Sequence, residues 1–283
     1  MQQAANWINY EERLNRVTAY IYAHLDDELD LLKLAEVAFL SPYHFHRIYR
    51  AARGETIATT VRRLRLHRAA GHLAQTTLPI AEISLKAGYK NIQSFTRTFN
   101  AIYGMPPARY RNHGSHTQYQ STKLERSLAM YNITLKTLPD LEVLSIKHSG
   151  SYLQISLEFG QLGSWLGARN LLDANTRMMG VYYDDPDTVA EKDLRSRACM
   201  TVSKPCVLEA PLERITIAGG EYAVLLHKGS YDGLAAAYQW FFGTWLLQSG
   251  RELRDAPAFE KYLNTPMDTA QAELLTEIHL PLN

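Results

Sequence analysis

Cysteine is nearly absent from this 283-residue chain: there are two, Cys199 and Cys206. With six residues between them and no second pair, they exclude a disulfide framework and a four-ligand zinc site, and both read as reduced bystanders. No run of about 18 apolar residues is present, which leaves no candidate spanning helix. The opening stretch MQQAANWINYEERL has neither the basic nor the apolar segment of a secretory signal, so a cytoplasmic protein is expected. Walker loop, G-x-G-x-x-G, H-E-x-x-H and an ordered Ser-His-Asp set are all missing, so no cofactor, no catalytic residue and no metal site is expected. His44 and His46, two apart on a helix, diverge too far to share a metal ion. Neither sign of charge dominates, for the formal net charge is only +1. What remains, 46% hydrophobic and 21% charged residues, is ordinary globular material long enough for two domains.

The near-neutral total conceals an uneven distribution. Residues 41–112 hold twelve Lys or Arg against two acidic residues, whereas 113–283 hold fifteen against twenty. A concentrated basic segment suits a polyanion, because each phosphate it neutralises releases condensed counterions. The same segment contains a repeat. LLKLAEVAFLSPYHFHRIYRAARG (31–54) matches IAEISLKAGYKNIQSFTRTFNAIYG (80–104) at an offset of 49 before the turn and 50 after it. Each copy reads as helix, turn, helix: Ser41 and Asn91 are N-caps, Pro42 sits at a first helical position, Gly88 suits a turn with positive φ, and Gly104 a helix stop. Between the copies, TIATTVRRLRLHRAAGHLAQT forms a long amphipathic helix with Val61, Leu64 and Leu73 on its apolar side. It sets two short helices apart as two successive major-groove segments, about 34 Å distant, require.

These motifs, with the closing GMPPARYR, resemble the DNA-binding domain of the AraC/XylS family of bacterial transcription regulators. The resemblance implies double-stranded DNA and RNA polymerase as partners. Carried over position by position, the base-facing residues are Tyr43, His46 and Arg47 in the first reading helix, and Ile92, Gln93, Thr96 and Arg97 in the second. Arg47 and Arg97 also suit a bracing role within their own domain.

From residue 130 the chain turns to short alternating strands and aromatic helices, after a polar segment of linker composition at 113–129. A second repeat appears there. HSGSY (148–152) recurs as HKGSY (227–231) at an offset of 79, and GVYYDDP aligns with EKYLNTP at an offset of 80. Two such units pack about a pseudo-twofold axis, with a ligand crevice between them. PAFEKYLNTP and ELLTEIHLPL are similar to the GyrI-like effector-binding domain, and that resemblance implies a cavity carboxylate among aromatic residues, receiving a lipophilic or cationic small molecule. The fitting carboxylates are Glu260 and Glu277, which the repeat matches to Gly180 and Arg197. Tyr152, Trp165, Tyr231, Trp240 and Trp245 are candidate walls, and each also suits plain core. Glu277 has an alternative role in a cross-sheet ion pair.

The expected architecture is therefore an all-α double helix-turn-helix domain (1–112), a linker (113–129) and an α+β domain of two pseudo-twofold strand-helix-strand repeats (130–283). The expected function is that of a DNA-binding transcription regulator with a small-molecule effector. The alternatives are a GyrI-like hydrolase fused to a DNA reader and a regulator whose second domain binds a protein.

Overall fold

A computed structural model describes residues 2–113, 131–186 and 188–283. Beyond His113 the linker expected at 113–129 lies outside the described residues. None of the described helices is long and apolar enough to cross a membrane. The chain divides into two compact units: Glu11–Phe39 with Arg53–Glu125, and Met1–Tyr10 with Leu40–Ala52 and Arg126–Asn283.

Helices are α1 (Gln2–Ala23), α2 (Leu31–Ala38), α3 (Pro42–Arg53), α4 (Ile57–Gln75), α5 (Ile80–Lys86), α6 (Ile92–Tyr103) and α7 (Pro107–His113) in the N-terminal part. The described residues of the first unit form helices joined by turns and contain no strand. Its ends are set by local chemistry: the Asp30 side chain accepts from the Leu32 N–H, Thr56 from Thr59, and Asn91 Oδ1 from the Ser94 N–H at 2.7 Å. Gly104, at φ 71°, ends α6. The two helix-turn-helix repeats turn at equivalent residues. Gly88 (φ 83°) matches Phe39 (φ 52°) at the offset of 49, so the left-handed position survives although the glycine does not. Gly88 has a further constraint, since a Cβ there would lie 2.8 Å from Arg65 Nη1. Arg65 donates to the carbonyls of Leu25 and Asp27, tying α4 to the end of α1. The α4 core face keeps Leu73 of the three expected residues but not the other two. Leu66, Ala69, Ala70 and Leu73 pack with Ile83, Phe95, Phe99 and Tyr110, while Val61 and Leu64 are only half-buried.

The second unit is built on one eight-stranded antiparallel sheet. Its strands are β1 (Ile133–Leu138), β2 (Leu141–Ser149), β3 (Met178–Tyr182), β4 (Arg195–Met200), β5 (Glu213–Ile217), β6 (Gly220–Lys228), β7 (Ala258–Tyr262) and β8 (Leu275–Pro281), in the order β1-β6-β8-β7-β3-β4-β2-β5. Two copies of strand–strand–helix–strand–strand make it up, with α8 (Ser156–Ala168) in the first and α9 (Leu234–Trp240) in the second. The first strand of each copy crosses to the other half: β1 completes the β6-β8-β7 half and β5 the β3-β4-β2 half. The pseudo-twofold axis falls between β3 and β7.

Alternation along the strands gives the sheet two apolar faces. On one, Leu144, Ile146 and Ala198 meet Phe159, Leu162 and Leu166 of α8, and Leu225, Ile278 and Leu280 meet Ala237 of α9 and Phe241 beyond it. On the other, Val143, Val181, Val224 and Phe259 cluster. After α9 the chain continues as a π-helical turn, Phe241–Leu246, and one last turn, Leu247–Ser249.

Helix α3 packs in this second unit. Ile48 enters its core beside Leu225 and Phe242, and Gly243 allows the close approach, because a Cβ there would lie 2.9 Å from the Ala51 Cβ. Ser41 Oγ donates to Asp255 Oδ1 at 2.6 Å, and His44 Nε2 donates to the Ala256 carbonyl at 2.8 Å. Burial, reinforced by the Arg47 charge, pushes His44 down to about 3, so it stays a neutral imidazole.

Candidate functional site

The repeated H-x-G-S-Y motif is a turn that delivers a tyrosine. His148 and His227 are buried, and their Nε2 atoms lie 3.0 and 3.1 Å from the carbonyls of Ser151 and Ser230. Gly150 and Gly229 between them adopt φ values of 116° and 132°, which only glycine tolerates readily. The motif thereby places Tyr152 and Tyr231 in the lining of a cavity of about 1400 Å³ that Glu260 also borders.

Glu260 lies on β7, directly opposite Gly180 on β3 across the axis. Its side chain is buried, and the Tyr262 hydroxyl donates to its Oε2 at 2.9 Å. Tyr182, which corresponds to Tyr262 at the offset of 80, shares a 2.6 Å hydrogen bond with the Tyr262 hydroxyl. The Tyr182 ring folds over Gly180, where a Cβ would sit 2.7 Å from its hydroxyl oxygen. One copy therefore supplies the carboxylate and the other the space in which a phenol turns towards it. Tyr238, from α9, has a buried hydroxyl with no closed hydrogen bond, yet close enough to favour the charged carboxylate. Burial raises Glu260 to about 7, against the opposing pull of Tyr262, Tyr238, Arg47 and Tyr182. The site is a largely apolar chamber whose floor carries Glu260, titrating near neutral pH, with Asp185, Glu191 and Asp232 elsewhere in its lining.

Of the residues expected at the ligand site, Glu260, Tyr152 and Tyr231 line the cavity. Glu277 does not. It shares the opposite face with His279 and Phe259, because successive β8 residues alternate, and pairs with Lys136 at 2.7 Å and Lys261 at 3.7 Å. Burial opposes its ionisation, but Lys136 first and the other nearby cations outweigh it, so its pKa is lowered. Arg197, its repeat counterpart, pairs with Glu213 on the exchanged strand β5, the mirror arrangement with the charges reversed. Trp165, Trp240 and Trp245 also lie outside the cavity lining. Trp165 packs on the α8 side beneath Arg169, Trp240 lies against Tyr131, and Trp245 against Phe241, because each points from its helix into core rather than towards the crevice.

The two reading helices present themselves differently. On α6, Ile92, Gln93 and Arg97 are exposed and Thr96 half-buried, with Phe95 and Phe99 turned inwards. On α3, Tyr43 is exposed, but His46 and Arg47 are half-buried in the second unit. The Arg47 guanidinium lies 4.8 Å from the centre of the Tyr238 ring and 5.6 Å from that of Phe242, and donates to the Asp184 carbonyl at 3.1 Å. It lines the same cavity as Glu260. Arg47, expected to face DNA, is thus turned away from solvent by an aromatic surface that the sequence of α3 does not announce.

Sequence reasoning missed Tyr182, Tyr262, Tyr238 and Arg47 as cavity residues. The first two were detectable, since the aligned segments GVYYDDP and EKYLNTP place a tyrosine at the same step of each copy. Among the described residues there is no group of three or more His, Cys, Asp or Glu that could hold a metal ion.

Comparison with known proteins places two families on the chain. The GyrI-like small molecule binding domain matches residues 131–283, and a helix-turn-helix domain matches residues 34–113. The chain is 34% identical over 102 residues to the uncharacterized HTH-type transcriptional regulator YbfP of Bacillus subtilis (strain 168), covering 36% of this chain and 35% of that protein. It therefore spans about a third of the length of that relative. It is 28% identical over 163 residues to the probable transcriptional regulator YgiV of Escherichia coli (strain K12), covering 54% of this chain and 99% of YgiV. It is 25% identical over 258 residues to the transcriptional regulator Rob of Salmonella typhimurium, with 86% and 87% covered.

Proposed function

Because the chain belongs to the AraC-type regulators that carry a GyrI-like small molecule binding domain, we propose that it is a one-component transcription regulator whose effector is a lipophilic cation. One observation carries the effector class: a carboxylate, Glu260, buried under tyrosines on the sheet floor of a largely apolar cavity. In such surroundings a cation gains Coulomb attraction and contact with aromatic faces that a neutral molecule of the same shape does not.

On the DNA side, Ile92, Gln93, Thr96 and Arg97 of α6 are the proposed base readers, with Tyr43, His46 and Arg47 of α3 their counterparts when α3 engages DNA. RNA polymerase is the proposed protein partner. Methyltriphenylphosphonium and its neutral match, triphenylphosphine oxide, test the effector class by calorimetry. Glu260→Gln should abolish the preference for the cation, and Glu277→Gln should leave it intact. A wild-type protein that binds both compounds equally refutes the reading. Mapping of bound genomic sites with and without the cation tests the regulator itself.

A hydrolytic reading has one observation in its favour, since a carboxyl near pH 7 hydrogen-bonded to a phenol suits general-base work. Catalytic turnover of ester or lactone substrates that disappears in Glu260→Gln would favour it over the regulator without enzymatic activity that we propose.

A further inference from the structure

The effector cavity already holds a positive group. Arg47 reaches into it from α3, stacked over Tyr238 and Phe242, and its charge bears on Glu260. A backbone carbonyl, that of Asp184, and two ring faces hold it there. That same Asp184 carbonyl lies 3.0 Å from the hydroxyl of the wall residue Tyr152. Tyr238, the ring beneath the guanidinium, also bears on Glu260 through its buried hydroxyl. The helix-turn-helix repeat adds an independent contrast. Arg97, which matches Arg47 at the offset of 50, is exposed on α6. Equivalent positions of two reading helices thus have different fates, one open to solvent and one drawn into the sensor.

Resting on the effector reading above, we infer that Arg47 is the resident cation of this cavity: its guanidinium occupies the aromatic seat that the charged group of an effector takes. Effector entry and the release of a DNA-reading side chain are then one exchange. Two cations cannot share the Tyr238 face without repulsion in a poorly solvated chamber. The effector also recovers the ring contact that Arg47 gives up. Linkage makes the exchange reciprocal, so DNA that recruits Arg47 opens the cavity to the effector.

Calorimetry on the full chain tests this with methyltriphenylphosphonium and triphenylphosphine oxide. Arg47→Gln removes the competitor and should bind the cation on the order of tenfold more tightly, the scale of one partly desolvated cation–π contact. Its affinity for the neutral analogue should not change, and Arg47→Lys, which keeps a cation, should stay near wild type. If Arg47→Gln does not fold, Arg47→Met, which retains an apolar stem, carries the same expectation. A second readout is the rate at which phenylglyoxal modifies Arg47, followed by mass spectrometry, which the cation should raise and the neutral analogue should not. Unchanged or weaker cation binding in Arg47→Gln, with the Glu260 dependence intact, overturns the exchange and leaves the proposed function standing. Loss of the Glu260 dependence in every variant overturns both.

Discussion

Replacing Glu260 by Gln should make the ligand-free protein more stable, by an amount that depends on pH. The unfolded chain releases the Glu260 proton near the ordinary value of 4.5, whereas burial holds the folded carboxyl to about 7. Between those values the folded state binds a proton that the unfolded state has lost, so wild-type stability falls as pH rises from 4.5 through 7, then levels off. At about 1.4 kcal/mol per pH unit, the ionised carboxylate costs about 3 kcal/mol at pH 8. Gln keeps the shape and an acceptor for Tyr262 and never ionises. The advantage of Glu260→Gln over wild type should therefore widen by about 2 to 3 kcal/mol between pH 5 and pH 8. Urea denaturation followed by tryptophan fluorescence suits the measurement, because Trp165, Trp240 and Trp245 all belong to the sheet unit. A constant difference across that range, or a wild type that gains stability towards pH 8, would refute a desolvated, uncompensated Glu260.

The same titration governs binding. Wild-type affinity for methyltriphenylphosphonium should rise about tenfold per pH unit below 7 and flatten above it, while Glu260→Gln stays flat; calorimetry from pH 5.5 to 8.5 decides, and parallel profiles would contradict the role. Gly180→Ala places a Cβ against the Tyr182 hydroxyl, so it should cost about 1 to 3 kcal/mol in thermal unfolding and weaken cation binding by displacing the Tyr182–Tyr262 pair. Arg97→Ala should lose about 1 to 3 kcal/mol on a mapped operator and little on random duplex, whereas loss of Arg62 should weaken both and lower the salt slope by about one unit. Fluorescence anisotropy at several salt concentrations separates the two, and equal losses for Arg97→Ala on both duplexes would make it a backbone contact.

Much of the fold was legible because it is repetitive and patterned. The cap at Asn91, left-handed glycines at Gly88 and Gly104, and the doubled H-x-G-S-Y turn are short-range features whose chemistry lies within a few residues. Glu260 was also legible, since a carboxylate present in one copy and a glycine in the other cannot follow from the shared fold. Its ambiguity with Glu277 was not resolvable by eye, because facing depends on strand register: Glu277 falls on the back of the sheet beside Lys136. Trp165, Trp240 and Trp245 misled because an aromatic residue looks the same to a composition argument whether it fills a core or a crevice. Arg47 was hidden for a different reason. Its position depends on how α3 packs against a segment nearly 200 residues later, and that contact leaves no local periodicity in either stretch.

The exchanged strands β1 and β5 bear on how such a fold can have arisen. A single copy lacks the strand that finishes its half of the sheet, so alone it would have to find a second copy and trade that strand. In such a homodimer β3 and β7 would be the same strand facing itself across the axis, and whatever occupied the central position would occur twice. Two glutamates would stand opposite one another as buried like charges, and two glycines would leave no charge at all. Only when both copies were joined in one gene could the pair Gly180 and Glu260 diverge, giving the central position one acid, one vacated space beside it, and hence a direction in which an asymmetric molecule can lie.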